Sequence, residues 1–414
     1  MTRSTQTAQN DIPNGENNFP PFTAKSQDQT QNPFEPFSFD GQKDTRDFGL
    51  PWSAPFPAAI KVVDIETIPQ AVSLIRTFSQ SGQLRELVKS HGGAILIRGL
   101  PLKTPSDYSK VAHAFGLQPH VEVGRPPLRT VLAPNVKTAN EGPPELPIWP
   151  HNEYGWSTIN PSWLTFSALE IPTEGGATPI TSSIYVVYRL SVLAPHFVEK
   201  LQKLGVKYTY RYTVNQVISN TGASIREAYG VHVKDEDDED TARQKIEAEV
   251  RRHSDRFEWH DDGSLSVTHV VPAIRIHQPT GAPIFFGNIT SAWGRSRHHG
   301  ATRPPFRGDD GSYHPPPQFG DGTPMDVKDL DLLLDIAERS AVDITWNQGD
   351  LVILDNFAVQ HSRQPWKGTR LVLAALWEDE GRVEDFPEGR ELLSRAPRFP
   401  IIEESIQIAV GRLS

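Results

Sequence analysis

The residues best suited to chemistry in this chain lie in Trp149-Pro150-His151-Asn152-Glu153-Tyr154-Gly155-Trp156, which holds a histidine and a carboxylate two positions apart. On an extended backbone such residues point the same way, so His151 and Glu153 can grip one ion from one side. A third ligand would complete a two-histidine, one-carboxylate facial triad, which leaves positions open on a non-heme Fe(II) for oxygen and a cosubstrate. The pair is not selective by itself. With 14 His and 51 Asp plus Glu in 414 residues, chance gives ~1.7 His-x-Asp/Glu triplets. Four occur, at His120/Glu122, His151/Glu153, His253/Asp255 and His260/Asp262, and the triplet alone leaves all four open.

A second informative stretch follows Gly349-Asp350. An apolar run, Leu351-Val352-Ile353-Leu354, leads into Asp355-Asn356, then His361-Ser362-Arg363, a turn with Pro365, and Arg370 at the head of another apolar run. A histidine just after a buried strand, with an arginine opening the next, suits a metal ligand beside an anion anchor. A guanidinium pairs with a carboxylate through two parallel hydrogen bonds.

Composition removes several function classes. There are no cysteines, so disulfides, thiolate nucleophiles, zinc fingers and iron–sulfur ligation by the chain are excluded. Any metal must be held by His, Asp or Glu. The net charge of −10 disfavours general nucleic-acid binding, which needs a basic face. No signal-type segment and no run of 18 apolar residues is present, so no membrane association and a cytoplasmic location are expected.

The elements that must position these residues can be read in order. Residues 1–48 are polar with isolated Phe, too little apolar surface to offset the ordering entropy, and are expected to be a disordered tail. The domain is expected over 49–382, and a second tail over 383–414, with a final helix near 403–410. Helices are expected at 68–79, 83–91, 106–115 and 327–340, and one or two, broken near Pro195, over 185–204. Strand patterns fall at 94–98, 163–170, 177–181, 206–213, 266–271, 273–277, 283–287, 344–346, 351–354 and 371–376. Residues 119–150 read as Pro-rich loops, 233–258 as a charged insertion carrying a solvated helix, and 295–322 as a loop able to cover a site. Many short strands without a βαβ rhythm imply a mainly β fold with flanking helices, a sandwich or jelly roll.

At this point the motifs add up to a resemblance. Asp355-Asn356, His361-Ser362-Arg363 and Arg370 resemble the distal half of the taurine dioxygenase/clavaminate synthase-like (TauD/TfdA) family. Gly92-Gly93-Ala94-Ile95-Leu96-Ile97-Arg98-Gly99, Thr138-Ala139-Asn140-Glu141, the His151/Glu153 pair, Gly175-Gly176-Ala177-Thr178-Pro179, Phe319-Gly320-Asp321-Gly322 and Gly349-Asp350 agree in order. The resemblance spans roughly residues 60–380. It implies a double-stranded β-helix (distorted jelly roll) and an Fe(II)- and 2-oxoglutarate-dependent dioxygenase that uses O2. It also chooses among the triplets. The family places a Thr about 27 residues after the first ligand, behind a Gly-Gly turn, and from His151 that residue is Thr178. From His253 it is Thr280, without the Gly-Gly turn.

Carried over residue by residue, His151, Glu153 and His361 are the implied iron ligands, and Thr178 and Arg370 the implied 2-oxoglutarate contacts. Several relatives carry two adjacent arginines where this chain has Arg370-Leu371, and Arg363 is the alternative anchor. The expected reaction is oxidation of an unactivated C–H of a small molecule, by hydroxylation, desaturation or cyclisation. The substrate class is an amino acid, a small carboxylate or a secondary-metabolite intermediate. Asn140, Trp156, Asn288 and Trp293 are candidate substrate contacts. Arg275 and Arg297 are candidate carboxylate receivers, and His298-His299 reads as a loop-surface pair. Two other classes remain: a cupin-like metal enzyme that needs no oxygen, and a silent relative that only binds small molecules.

Overall fold

The structure is a computed structural model and describes residues 33–124, 129–139, 142–215, 224–311 and 314–387. Its centre is a large sheet with strands in the order Phe34–Pro36, Ala58–Val62, Ala94–Arg98, Leu351–Asp355, Trp163–Glu170, Leu371–Glu378, Val136–Thr138 and Val131–Ala133, with Gln118–Pro119 also paired to Leu371–Glu378. A smaller sheet runs Val342–Ile344, Thr178–Ser182, Val359–Arg363, Ile148–His151.

The alternation of side chains along each strand builds the layers. Ala94, Leu96, Leu164, Phe166, Val352 and Leu354 point from the large sheet into a core shared with Ile180, Val342, Ile344 and Val359 of the small one. Ile95, Ile97, Trp163, Ile353 and Trp377 point the other way, against Ala71, Ile75, Val88, Tyr108 and Val111 of the helices Ile68–Gln80, Gln83–Ser90 and Pro105–His113. Because both faces of the central strands are covered, they read as unbroken apolar runs. This is a β-rich arrangement of two main sheets sharing a core, with smaller sheets and flanking helices.

The helix starts follow from their caps. Thr67 and Gln70 form a reciprocal capping box before the helix Ile68–Gln80, and Thr104 and Asp107 do the same before Pro105–His113. Each box satisfies two orphan N–H donors. Pro195 cannot donate a backbone hydrogen bond. The helical stretch accordingly divides into Ser183–Leu193 and Pro195–Leu204.

Several boundaries differ from the sequence expectation. Residues 33–48 are not tail. Phe34–Pro36 pairs antiparallel with Ala58–Val62, the Phe34 ring packs 4.8 Å from Phe78, and Phe48 is buried. An edge strand that offers a free backbone row, plus two well-placed Phe, outweighs the polar average of the segment. Residues 1–32 lie outside the described residues. The C-terminal tail starts later than 383, since Val383–Asp385 pairs with Ile274–His277; the helix expected near 403–410 lies outside the described residues.

The charged insertion is also larger than 233–258. Its helix, Glu239–Val250, buries Ile246 and Val250. It packs over a four-stranded sheet of Arg256–Trp259, Leu265–Val271, Val206–Tyr212 and Gln318–Phe319. The stretch read as loops over 119–150 holds Val131–Ala133, Val136–Thr138 and Ile148–His151 as strands, too short to show a period. Residues 295–298 finish a helix, Ile289–His298, instead of opening a loop. Its Gly294 is required by close approach, because a Cβ there would lie 2.3 Å from Trp149 Cγ.

Candidate functional site

The small sheet brings the two distant metal-type stretches together. His151 ends the strand Ile148–His151, and in the antiparallel pairing its cross-strand partner is His361. Residues paired this way project from the same face, and the two imidazole centroids are 4.2 Å apart. Glu153 is not on an extended strand, as the spacing argument assumed. It sits in a turn where Tyr154 adopts φ 54°, and the turn swings its carboxylate back toward the histidines. Glu153 Oε2 lies 3.8 Å from His151 Nε2 and 3.6 Å from His361 Nε2.

Those separations are too long for hydrogen bonds, and the protonation pattern explains why. His151 Nδ1–H donates to the Trp149 carbonyl at 2.9 Å, which leaves a lone pair on Nε2. Burial pushes the His361 pKa well below its ordinary value, with help from His151 and Arg129; burial likewise lowers His151, against the pull of Glu153. Both rings are therefore neutral, and their Nε2 atoms and a carboxylate oxygen face one point. The donor set fits a divalent metal ion, and the three side chains offer ligand atoms within 4.8 Å of one another.

The carboxylate is held from behind. Arg129 Nη2 donates to Glu153 Oε1 at 2.7 Å, so that oxygen is occupied and Oε2 is the one presented to the histidines. The Glu153 backbone is clamped by Asn356, which accepts from its N–H at 2.8 Å and donates to its carbonyl at 2.9 Å. Asn152 in turn donates to the Asn356 carbonyl at 2.7 Å. Asn152 and Asn356 have no solvent exposure, and such fully satisfied buried networks fix one geometry. Next to Asn356, Asp355 accepts from His277 Nε2 at 2.9 Å and from Arg382. Burial opposes its ionisation, yet His277 and Arg382 hold its carboxyl well below the usual carboxylate range.

A narrow cavity of ≈ 70 Å³ links the triad to the anion-binding candidates, with His151, His361, Thr178, Arg370, Arg363 and Arg129 among its walls. Arg370 Nε donates to the Gly176 carbonyl at 3.0 Å, and its Nη2 lies 3.4 Å from Thr178 Oγ1. Trp346 Nε1 also donates to Thr178 Oγ1, at 3.0 Å. The Gly-Gly turn is needed here. Gly176 has φ +71°, and a Cβ on it would press on Pro172, Trp366 and Arg370. Arg363 is built differently. Its Nη2 donates to the carbonyls of Pro143 and Leu146 at 3.1 and 2.8 Å, while Nε and Nη1 are buried without partners. Burial pushes both arginines down to about 10, and Arg363 adds repulsion on Arg370. Two depressed guanidiniums in one enclosed space favour an anionic occupant. A larger groove of ≈ 650 Å³ shares Ile148, Ser362 and Arg363 but none of the triad.

The other candidates are placed as follows. Asn140 and Glu141 lie outside the described residues. Trp293 is a packing residue whose Nε1 donates to Asp331 at 2.8 Å. Asn288 keeps a buried, unpartnered Oδ1 against Gly155, and neither it nor Trp156 lines the triad cavity. Arg275 is paired with Asp385 and Arg297 with Asp331. Of the competing triplets, His120 pairs with Glu378, and His253 belongs to a buried aromatic cluster with Trp156, His269 and Tyr229. Arg129 was missed, since a single residue outside any repeating pattern leaves no local trace; Asn356 stood in the Asp355-Asn356 motif, but its clamp on the Glu153 backbone needs the tertiary structure.

The aromatic cluster has a consequence for stability. Burial pushes His253 down to about 3 and His269 down to about 4. Between about pH 4 and the ordinary histidine value of ~6.5, the unfolded chain binds more protons than the folded one, so stability falls as pH drops through that window. His269 alone accounts for about 3 kcal/mol across it. Unfolding midpoints measured from pH 7 to pH 4 should therefore fall, and His269→Phe should flatten the decline. An unchanged slope in that variant would refute the assignment.

Comparison with known proteins gives a consistent picture. The family model described as taurine catabolism dioxygenase TauD, TfdA family matches residues 67–377. A clavaminate synthase-like protein of Arabidopsis thaliana is 29% identical over 333 residues, covering 78% of this chain and 94% of that protein. The dapdiamide synthesis protein DdaC of Enterobacter agglomerans is 22% identical over 315 residues, covering 74% and 90%. A crystal structure of asparagine oxygenase with Fe(II), 2S,3S-3-hydroxyasparagine and succinate is similar over 75% of this chain and 83% of that one, at 13% identity and a TM-score of 0.44.

Proposed function

Since this chain belongs to the TauD/TfdA dioxygenase family, we propose that it is an Fe(II)- and 2-oxoglutarate-dependent dioxygenase that oxidises an unactivated C–H bond of a small molecule, and that its two sheets form the distorted jelly roll of that family. The observation that carries this reading is the convergence of His151, Glu153 and His361 on one point, with Thr178 and Arg370 in the same cavity.

In this reading His151 Nε2, Glu153 Oε2 and His361 Nε2 would hold the metal. Fe(II) and 2-oxoglutarate bound there would supply the O2 chemistry for C–H oxidation. The remaining work belongs to the chain. Trp149 keeps the His151 proton on Nδ1, and the low pKa of His361 keeps its ring neutral. Arg129 occupies one oxygen of Glu153, so the carboxylate presents the other and leaves space for further ligands. Arg370 and Thr178 bind the far carboxylate of 2-oxoglutarate, and Arg363 completes the cationic wall. Phe166, whose ring centre is 5.1 Å from that of His361, keeps that side of the cavity apolar and limits water.

An anionic substrate is favoured by the positive potential of a fourth arginine, which does not line the triad cavity. Arg295 is on the helix beside the strand that ends in His151 and is close enough to lower the His151 pKa; its side chain makes no hydrogen bond or ion pair among the described residues, and Asp310 is the carboxylate that acts on it. The likeness to a dapdiamide synthesis protein supports a biosynthetic substrate. The test is incubation with Fe(II), 2-oxoglutarate and pools of amino acids and small carboxylates, read by mass spectrometry. Succinate release coupled to a product that has gained oxygen or lost two hydrogens is expected. A substrate transformed without succinate release would instead support a non-oxidative metal enzyme.

A further inference from the structure

A second set of metal-type donors lies away from the triad, in the segment that follows the helix Ile289–His298. His299, Asp310 and His314 offer ligand atoms within 4.8 Å of one another. The two imidazoles stack with centroids 4.7 Å apart at 14°, and their side chains are only 11% and 9% exposed. His299 and His314 are therefore largely enclosed, whereas Asp310 is exposed; of the pair read as loop-surface, His298 is exposed on the last turn of the helix.

Asp309 Oδ1 accepts from His299 Nδ1 at 2.7 Å, which turns the other ring nitrogen toward Asp310. His299 Nε2 lies 3.9 Å from Asp310 Oδ2, beyond hydrogen-bond reach. His314 Nε2 reaches the same oxygen at 2.9 Å. The two separations bracket the ~3.3 Å expected between neighbouring donors on a tetrahedral ion with bonds of ~2.0–2.1 Å. A carboxylate behind a ligating histidine, as Asp309 is behind His299, is the usual outer support of such a ligand.

The backbone already holds the three ligands in place. Asp309 N–H donates to the His299 carbonyl at 3.1 Å, and His314 N–H to the Phe306 carbonyl at 2.8 Å. Ser296 Oγ donates to the His314 carbonyl at 2.7 Å. Asp310 also acts electrostatically on the nearby Arg295 guanidinium.

We propose that His299, Asp310 and His314 form a second divalent-metal site, of the Zn(II) class, that ties Asp310 and His314 to the end of the helix Ile289–His298. Two imidazoles and one carboxylate suit a first-row transition ion better than Ca(II) or Mg(II). Binding displaces the His314 Nε2 proton to solvent, and water fills the remaining positions. The site is independent of the proposed dioxygenase reaction.

The test separates the two sites. The full chain carrying His151→Ala and His361→Ala is loaded with Zn(II) or Co(II), dialysed and analysed for metal. About one equivalent should remain, Co(II) should show tetrahedral visible absorption, and Tm should rise by about 2 °C or more over the metal-free protein. Adding Asp310→Asn and His314→Gln should abolish retention and the Tm rise. In the otherwise native chain the same two changes should lower bound metal from two equivalents to one, which keeps the test valid if the triad variant fails to fold. Equal metal content with and without Asp310→Asn and His314→Gln overturns the proposal.

Discussion

His361→Ala is expected to abolish Fe(II) binding and 2-oxoglutarate turnover, the largest single effect predicted for this chain. His361 supplies one of only three protein donors at the triad. Loss of an outer partner of a metal ligand already costs about 10–100-fold in affinity or activity, so loss of the ligand itself should exceed about 100-fold in both. The neighbouring strands should survive, because Val359 on the same strand remains in the core and backbone pairing with Thr178–Ser182 does not use the imidazole. Fe(II) affinity measured without oxygen, succinate production and the circular dichroism spectrum together make the test. A folded His361→Ala protein that still releases succinate at the native rate would discard the triad.

Arg370→Ala should raise the KM for 2-oxoglutarate by roughly 30-fold or more, since truncating one partner of a buried, hydrogen-bonded charge pair costs about 2–5 kcal/mol. The effect should fall mainly on KM, because Arg370 contacts Thr178 at the far end of the cavity and no triad side chain. Arg370→Lys should recover little, as an ammonium lacks the planar fork that matches a carboxylate. Arg363→Ala should cost less in 2-oxoglutarate affinity, because that guanidinium already spends Nη2 on the Pro143 and Leu146 carbonyls. If Arg363→Ala raises KM and Arg370→Ala does not, the anchor is Arg363. The two kinetic profiles, taken with native-like melting curves, distinguish these assignments.

Much of the frame can be read locally. The runs Ala94–Arg98, Leu351–Asp355 and Leu371–Glu378 announce themselves as buried strands because both faces are covered. The Thr67 and Thr104 caps mark helix starts within one or two residues. The edges are harder to read. Phe34–Pro36 and Val383–Asp385 are short and gain their stability from pairing with strands far along the chain, so local composition misplaces them in tails.

The amino-acid sequence alone supplied the donor types and their order: a histidine and a glutamate two apart, a Gly-Gly-Ala-Thr turn, and a histidine with an arginine nine residues on. The tertiary structure decided how they meet. Register sets His151 opposite His361, 210 residues later in the chain, and a turn with positive φ, rather than an extended strand, aims Glu153. Arg129 was placed behind that carboxylate, and Asp309 and Asp310 beside His299, by packing alone. The physical reason is the range of the forces concerned. Periodicity and capping act over a few residues and leave a pattern in the chain, whereas strand register and buried charge pairing are settled only when distant segments share one core.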